Sequence, residues 1–548
     1  MKRKILFLSL LIILNLLPYV FGGEPDQQNN VRGTGFRQPN ENEKKYLGDR
    51  VQKVTKILPN NLALSRFKLS PSIKYGLPAS VTNWMYLPPV GDQKTQNSCS
   101  AWASCYYVKT YQEAKEHNWI SPNPAVNPER VMSPAFGYNL ANDGVDAGSS
   151  PEVIMQIMCD HGCASLTDMP WFSSDNISWP NETAWKNGIS YRGNTTSKID
   201  LSSDAGINAL KQVIANGDIA VIGVIAETNF QDYIDGSGSG IDNQVLYTRT
   251  NPPPPLPGHA ITIIGYDDTK AYNDGAPKTG AFYAVNSWGS DWGIKDLNMG
   301  TSGFMYLSYS YVRDLTYQEA YVITDLTDYV PSVFGKFTIN HSNRGALNVF
   351  FMGADDIANP DWSCNCLPNL GGNHPINQKI VVDLSLFNIN YKNRFWLKVG
   401  DSSPPGSTGE ITFMSVDKSG SGESTALDVP KNTVSGSFVY LGMIYDLLAP
   451  SLNQILTYPN PFNKRKGAMV RFVRIPLSAN NVTISIYNVA GELIRTLKEG
   501  SGVDTLPDSK IATWDGKNDS GNDCASGVYI WLAKCEGNKN SGKIALVR

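Results

Sequence analysis

Helix-forming sequence runs out near residue 325, and that break constrains the fold more than any other feature. Before it, two stretches read as helices. Ala101 to Lys115 contains neither Pro nor Gly, and Pro151 to His161 is closed by Gly162. From His259 onward the pattern turns to strands, at Ala260–Ile264, Phe282–Val285 and Phe304–Leu307. Helices first and strands later predict an α+β fold of two lobes over residues 77–325. Past residue 330 no helix is legible. Lys336–Ile339, Leu347–Phe351, Val381–Leu384, Arg394–Val399 and Glu410–Met414 read as strands of a β-sandwich over residues 330–450. Residues 451–548 read as a second all-β sandwich domain, entered through the turn-rich Tyr458–Asn463, with strands at Val482–Tyr487 and Gly527–Leu532. A chain of 548 residues exceeds one hydrophobic core, so several domains are required. The 48 glycines, 33 prolines and 26 tyrosines suit turn-rich β structure.

The N-terminus carries Lys2, Arg3 and Lys4, an apolar run from Ile5 to Leu17, and Val20-Phe21-Gly22 at its end. This pattern predicts a cleaved secretory signal over residues 1–22. The run is short for a span of ~20 residues, so no membrane span is expected after cleavage. A secreted or cell-surface location follows. Cleavage would take the formal net charge from −3 to −6, which offers no basic field to a phosphate backbone and argues against nucleic acid as a partner. Residues 23–76 are polar at first, then helical in spacing over Glu43–Phe67. They read as a pro-region or a permanent strap. Its Val51, Val54, Leu58, Leu62, Leu64 and Phe67 would dock on the next domain, and the chain beyond Phe67 would cross that domain's cleft.

Three segments carry chemistry: Gly91–Trp102, Gly258–Tyr266 and Val285–Gly293. A cysteine nucleophile must become a thiolate, which a thiol near neutrality mostly is not. Cys99 stands where a loop gives way to the Ala101–Lys115 helix, whose positive end favours the anion. An imidazole beside it would take its proton and pass it to a leaving amine. His259 is one of five histidines and alone precedes a small residue and a β run ending in Gly-Tyr. Asn286 supplies a neutral acceptor that orients the ring. Gln93, six residues before Cys99, adds a donor to the Cys99 backbone N–H for a developing oxyanion.

These segments resemble the papain family of cysteine peptidases. That family has a glutamine six residues before its cysteine, a His-Ala strand leading to Gly-Tyr, and Asn-Ser-Trp-Gly followed by Trp-Gly. The resemblance covers residues 77–325, from Leu77-Pro78 onward. It implies Cys99, His259, Asn286 and Gln93 as catalytic residues and proteins or peptides as substrates. It also implies a substrate-binding set of Gly148, Ser149, Gly258 and Trp288. Gly148 and Ser149 come from Asp146–Ser149, which is similar to the family's glycine-bearing wall, and Trp288 shields the Asn286–His259 bond. No cofactor or metal is implied. Two positions depart from the family pattern. Gln96 replaces a second cysteine and Ser100 replaces the tryptophan after the nucleophile, with Trp102 two places on. The 160-residue gap from Cys99 to His259 slightly exceeds the signature's ~130–150, and Asp267–Thr279 reads as an inserted loop. A catalytically inactive binding protein, or a transpeptidase or amidase using the same trio, remain as alternatives.

Residues 451–548 resemble the immunoglobulin-like domain at the ends of many exported bacterial proteins, through Tyr458–Asn463, Trp514-Asp-Gly516 and Ala525–Tyr529. That family shares its outline with hook-capping and secretion-sorting domains and implies a cell-surface or secretion-machinery contact. Residues 330–450 distantly resemble the P domain of some secreted proteases, at Ile339–His341 and Trp396–Asp401. Eight cysteines in an exported chain should be oxidised or buried, and a free Cys99 leaves at least one other unpaired. Cys524 and Cys535 are expected to pair. His341 and His374 near Cys364-Asn-Cys366 fit no zinc spacing, so those cysteines read as structural.

Overall fold

The computed structural model describes residues 32–54, 76–250 and 258–548. Within the last range it omits 355, 369, 371, 388–393, 407, 420–421, 446–451, 453–454, 465–468, 477–478, 480, 506–509 and 536–537. The signal region, Leu58, Leu62, Leu64 and Phe67 therefore lie outside the described residues. The chain divides into two compact units. One comprises Met1–Ser178 and Tyr191–Thr327, the other Trp179–Ser190 and Asp328–Arg548.

The first unit has a helical lobe and a sheet lobe. Its central helix begins at Cys99–Ala101, passes through π-helical Trp102–Lys109 and ends as Thr110–Glu116. Trp102 to Lys109 is buried throughout, so this helix is enclosed on all sides and forms the lobe's core. Pro134–Ala141 and Pro151–His161 pack round it, the latter ended by Gly162 at φ 80°, as its sequence predicts. The sheet runs in the order Gln52–Val54, Gly193–Asp200, Glu319–Asp325, Ala220–Ile225, Gly258–Asn273, Pro277–Val285, Phe304–Ser308, Val245–Leu246, Ile241–Asp242. Ala220–Ile225 and the first half of Gly258–Asn273 are almost wholly buried, which explains their unbroken apolar runs.

Two expectations for this unit need correction. Asp267–Thr279 is not a loop. The Gly258–Asn273 and Pro277–Val285 strands stay paired out to Asn273 and Pro277, forming a long hairpin. Within the described part of the expected Glu43–Phe67 helix, the helix is Glu41–Leu47, closed at Gly48, and residues 55–67 lie outside the described residues. Gln52–Val54 then pairs in parallel with Ser197–Ile199, because an open sheet edge there satisfies its backbone groups.

In the second unit, Val333–Asn340, Lys379–Asp383 and Glu410–Lys418 lead one sheet. Leu347–Gly353, Arg394–Asp401 and Ser437–Ile444 lead another. Phe337, Ile339, Val349, Phe351, Leu397, Val399 and Met414 are fully buried, the inward half of an alternating pattern. The Glu182–Gly188 helix belongs here too. It packs on Lys379–Asp383, with Lys379 paired to Glu182 at 3.3 Å and Arg344 over the Trp179 ring at 4.5 Å. His341 meets Asp401 at 3.1 Å and Ser403 at 3.3 Å. Residues 456–547 form one continuous nine-stranded sheet around a single core containing Phe472, Ile484, Trp514 and Trp531. Cys524 and Cys535 are not joined to each other there. The Gly527–Cys535 strand separates them, and eight extended steps span roughly 26 Å. A disulfide tolerates a Cα separation of only about 7 Å.

Candidate active site

Cys99 opens the central helix, His259 lies at the start of the Gly258–Asn273 strand, and Asn286 follows the end of Pro277–Val285. Antiparallel pairing of those two strands sets His259 beside Asn286, and His259 Nε2 lies 2.7 Å from Asn286 Oδ1. The Ala260 N–H donates to Cys99 Sγ at 3.3 Å, which fixes the sulfur next to the histidine in the chain. With Nε2–H given to Asn286, the Nδ1 lone pair of His259 is unpartnered, the form a base needs. Trp288 stacks on the imidazole with centroids 4.4 Å apart, and Phe230 and Trp292 back it. The hydrogen bond is thus kept from water on one side.

Gln93 is fully buried. Its Oε1 accepts from the Ser287 hydroxyl at 2.6 Å, which fixes the amide so that Nε2 donates to Gln96 O at 2.8 Å and faces Thr34 O at 3.4 Å. Tyr107 adds a further brace, donating to the Asn286 carbonyl at 2.7 Å while accepting from Gly91 N–H at 2.9 Å. Ser287 and Tyr107 were not singled out from sequence. Ser287 lies within Asn-Ser-Trp-Gly, but nothing local marks its partner.

A segment of the chain's own N-terminus lies across this site. The Thr34 carbonyl sits 3.5 Å from Cys99 N and 3.4 Å from Gln93 Nε2. Trp288 Nε1 donates to Gly33 O at 2.8 Å, and the Gly35 and Phe36 N–H groups both reach Gly258 O at 3.0 Å. Ser149 N–H donates to Gly35 O at 2.8 Å, and Arg37 N–H returns to Ser149 O at 3.2 Å. All eight site residues expected from sequence therefore lie in one region, and the four substrate-binding ones touch this strand or flank it. A Cβ on Gly148, which has φ 85°, would fall 2.0 Å from Gly35 O, so only glycine permits the approach. The chain just beyond Phe67, expected to cross the cleft, lies outside the described residues; among those described, the crossing segment is 33–37. It contacts the site almost wholly through backbone groups, which leave no mark in sequence.

Side chains then lock the segment down. Phe36 is buried against Tyr317, with centroids 4.5 Å apart, in a pocket floored by Gly223. Arg37 pairs with buried Glu43 at 2.5 Å and donates to Gly148 O at 3.2 Å. Asn40 and Glu43 form a capping box. Tyr46 and Arg50 both bond Asp160, at 2.6 and 2.7 Å.

Burial under this strap governs the titrations. It pushes the Cys99 thiol up to about 12, against the opposing Ala260 N–H. It also lowers His259 to about 4, against the opposing Asn286 bond. The covered pair is thus neutral thiol and neutral imidazole. His161 is lowered to about 4 by its own burial in the Pro151–His161 helix. A histidine whose folded pKa lies below the unfolded ~6.5 gives stability that is full above that value and is lost as pH falls toward 4. Each of these two contributes roughly 3 kcal/mol. Thermal melting should therefore drop steadily from pH 6.5 to 4, and His161→Gln should flatten part of that slope.

Among the described residues, one carboxylate group is close enough to suggest a cation, Glu113, Glu116 and Asp325. The Lys109 ammonium already occupies it, paired to Glu113 at 2.5 Å and to Asp325.

Residues 79–308 match the model of the papain family cysteine protease. No curated protein sequence matches the chain. Among solved structures it is similar to xylellain, a cysteine protease from Xylella fastidiosa, with 19% identity and TM-score 0.37 over 54% of this chain and 98% of that one. It is also similar to procathepsin B of Trypanosoma congolense, at 14% identity and TM-score 0.35, over 54% and 87%. A Carica candamarcensis cysteine protease gives 16% and 0.30, over 45% and 99%. The chain carries a papain-family cysteine protease domain and is, through it, a cysteine peptidase.

Proposed function

We propose that the chain is a secreted endopeptidase that is held latent by its own N-terminal strap. Cys99 is the nucleophile and forms a thioacyl-enzyme. His259 removes the thiol proton and returns it to the leaving amine, Asn286 holds the ring, and Gln93 with the Cys99 N–H receives the oxyanion. One observation carries the reading: a peptide carbonyl, that of Thr34, already lies within 3.5 Å of both Cys99 N and Gln93 Nε2. Signal cleavage at residue 22 places the enzyme outside the cell, and residues 451–548, read as immunoglobulin-like, anchor it at the surface or at secretion machinery. The Phe36 pocket accommodates an aromatic side chain of the substrate close to the scissile bond. Incubating the processed protein with a mixed peptide library and reading the products by mass spectrometry tests this. Internal cuts with an aromatic or large apolar residue at one fixed position are expected. Joined products or an absence of cuts would defeat it.

The roles also predict an order of damage. His259→Ala should remove nearly all turnover. Gln93→Ala should lower kcat by roughly 10²–10³, the cost of one oxyanion donor. Asn286→Ala should cost less than His259→Ala, because it orients the ring without transferring a proton. Steady-state kinetics of the three variants check the order, and equal losses would point to damaged folding.

A further inference from the structure

We propose that Ser100 is a positioning residue that fixes the backbone edge on which a peptide docks in the cleft. This rests on the active-site reading above. Ser100 follows Cys99 and is fully buried. Its hydroxyl donates to the Ser149 carbonyl at 2.9 Å. That same carbonyl accepts from Arg37 N–H, while Ser149 N–H donates to Gly35 O, so Ser149 exchanges both of its backbone bonds with the strand in the cleft. Ser100 thus ties the residue beside the nucleophile to the edge that holds the bound backbone. The edge needs such a tether. Gly148 before it has no Cβ and a positive φ, and the Ser149 and Ser150 hydroxyls have no partner of their own. The aromatic bulk expected after the nucleophile is supplied by Trp102, which packs on Trp171 at 5.0 Å and against Gly91. This frees position 100 for a small donor. Because a hydroxyl hydrogen bond has a short reach, the spacing between Cys99 and Ser149 becomes a set distance, and a displacement of the edge shifts a substrate carbonyl away from the Cys99 and Gln93 donors.

Two measurements test this. In the full-length protein, Ser100→Ala should speed amide hydrogen exchange at 35–37 about tenfold, with exchange across 110–116 unaffected, and Ser100→Thr should restore protection. In a full-length chain opened by Phe36→Glu, Ser100→Ala should raise KM for a six-residue peptide about tenfold with kcat within about twofold. A single-residue ester, which cannot reach Ser149, should be penalised at least fivefold less. Unaltered exchange at 35–37, equal acceleration through 110–116, or an ester penalty matching that of the peptide overturns the proposal. Failure of the Ser100 parent to hydrolyse the ester would strike the functional reading instead, and the exchange experiment would still judge Ser100.

Discussion

Cys99→Ala is expected to lower peptide hydrolysis by roughly 10⁴–10⁶, the scale on which a covalent nucleophile is lost from a catalytic set. The thioacyl bond cannot form, and neither His259 nor Gln93 has a reacting atom to serve. The fold should survive. The sulfur accepts a hydrogen bond from Ala260 N–H at 3.3 Å, and its loss costs about 1 kcal/mol. Cys99→Ser should fare little better, since an alcohol ionises far less readily than a thiol and the ring partner of His259 is the neutral amide of Asn286 rather than a carboxylate. The measurement is kcat/KM beside a melting curve. Activity within tenfold of the parent would end the assignment. Labelling gives a second reading. Beneath the strap Cys99 is fully buried, whereas Cys364 is partly exposed. A small alkylator should therefore mark Cys364 first in the intact chain, and Cys99 only once the cleft opens.

Much of the peptidase lobe was legible because its signals are local. Gly162 ends the Pro151–His161 helix at a positive φ, and the apolar run after His259 marks a strand buried on both faces. The candidate trio was legible for another reason: nucleophile, base and orienting amide must be particular residue types, so they stand out from their neighbours. What was not legible depends on partners far away in the chain. Gln52–Val54 has helix-like spacing but becomes a strand, since it completes a sheet edge at Ser197–Ile199. Asp267–Thr279 is too polar to announce a hairpin, and register with Pro277–Val285 supplies what composition does not. Trp179–Ser190 packs with the second unit although nothing in its own sequence marks a boundary. Gly33 and Gly35 act through N–H and C=O alone, so nothing in the sequence marked the strand in the cleft.

Phe36→Glu is expected to open the cleft. The ring is 4% exposed, and its burial contributes about 2–3 kcal/mol. The replacement carboxylate would face Tyr317 and the Gly223 floor, where the nearest approach allows no Cβ, let alone a shell of water. Lost burial and an unpaired charge together cost several kcal/mol, and each 1.4 kcal/mol shifts the closed–open balance tenfold, so the open fraction should rise roughly 10²–10³-fold. Asn40, Glu43 and Tyr46 keep their anchors beyond the cleft, so the strap should lift at 33–37 while Glu41–Leu47 stays docked. Two rates follow that population. Peptide hydrolysis by the full chain should rise by the same factor. Alkylation of Cys99 at pH 7 should rise with it, because water then reaches a thiol that burial had held near 12 and an imidazole held near 4. With both penalties relieved the proton passes from sulfur to nitrogen, and the alkylation profile moves to lower pH. The pro-region and the permanent strap part company here. A pro-region predicts that the active parent protein has lost residues 23–76 while Cys99→Ala retains them. A permanent strap predicts an intact N-terminus in both and full activity without Phe36→Glu. Hydrolysis by the intact parent at the rate of the Phe36→Glu variant would show that residues 33–37 do not restrain the enzyme.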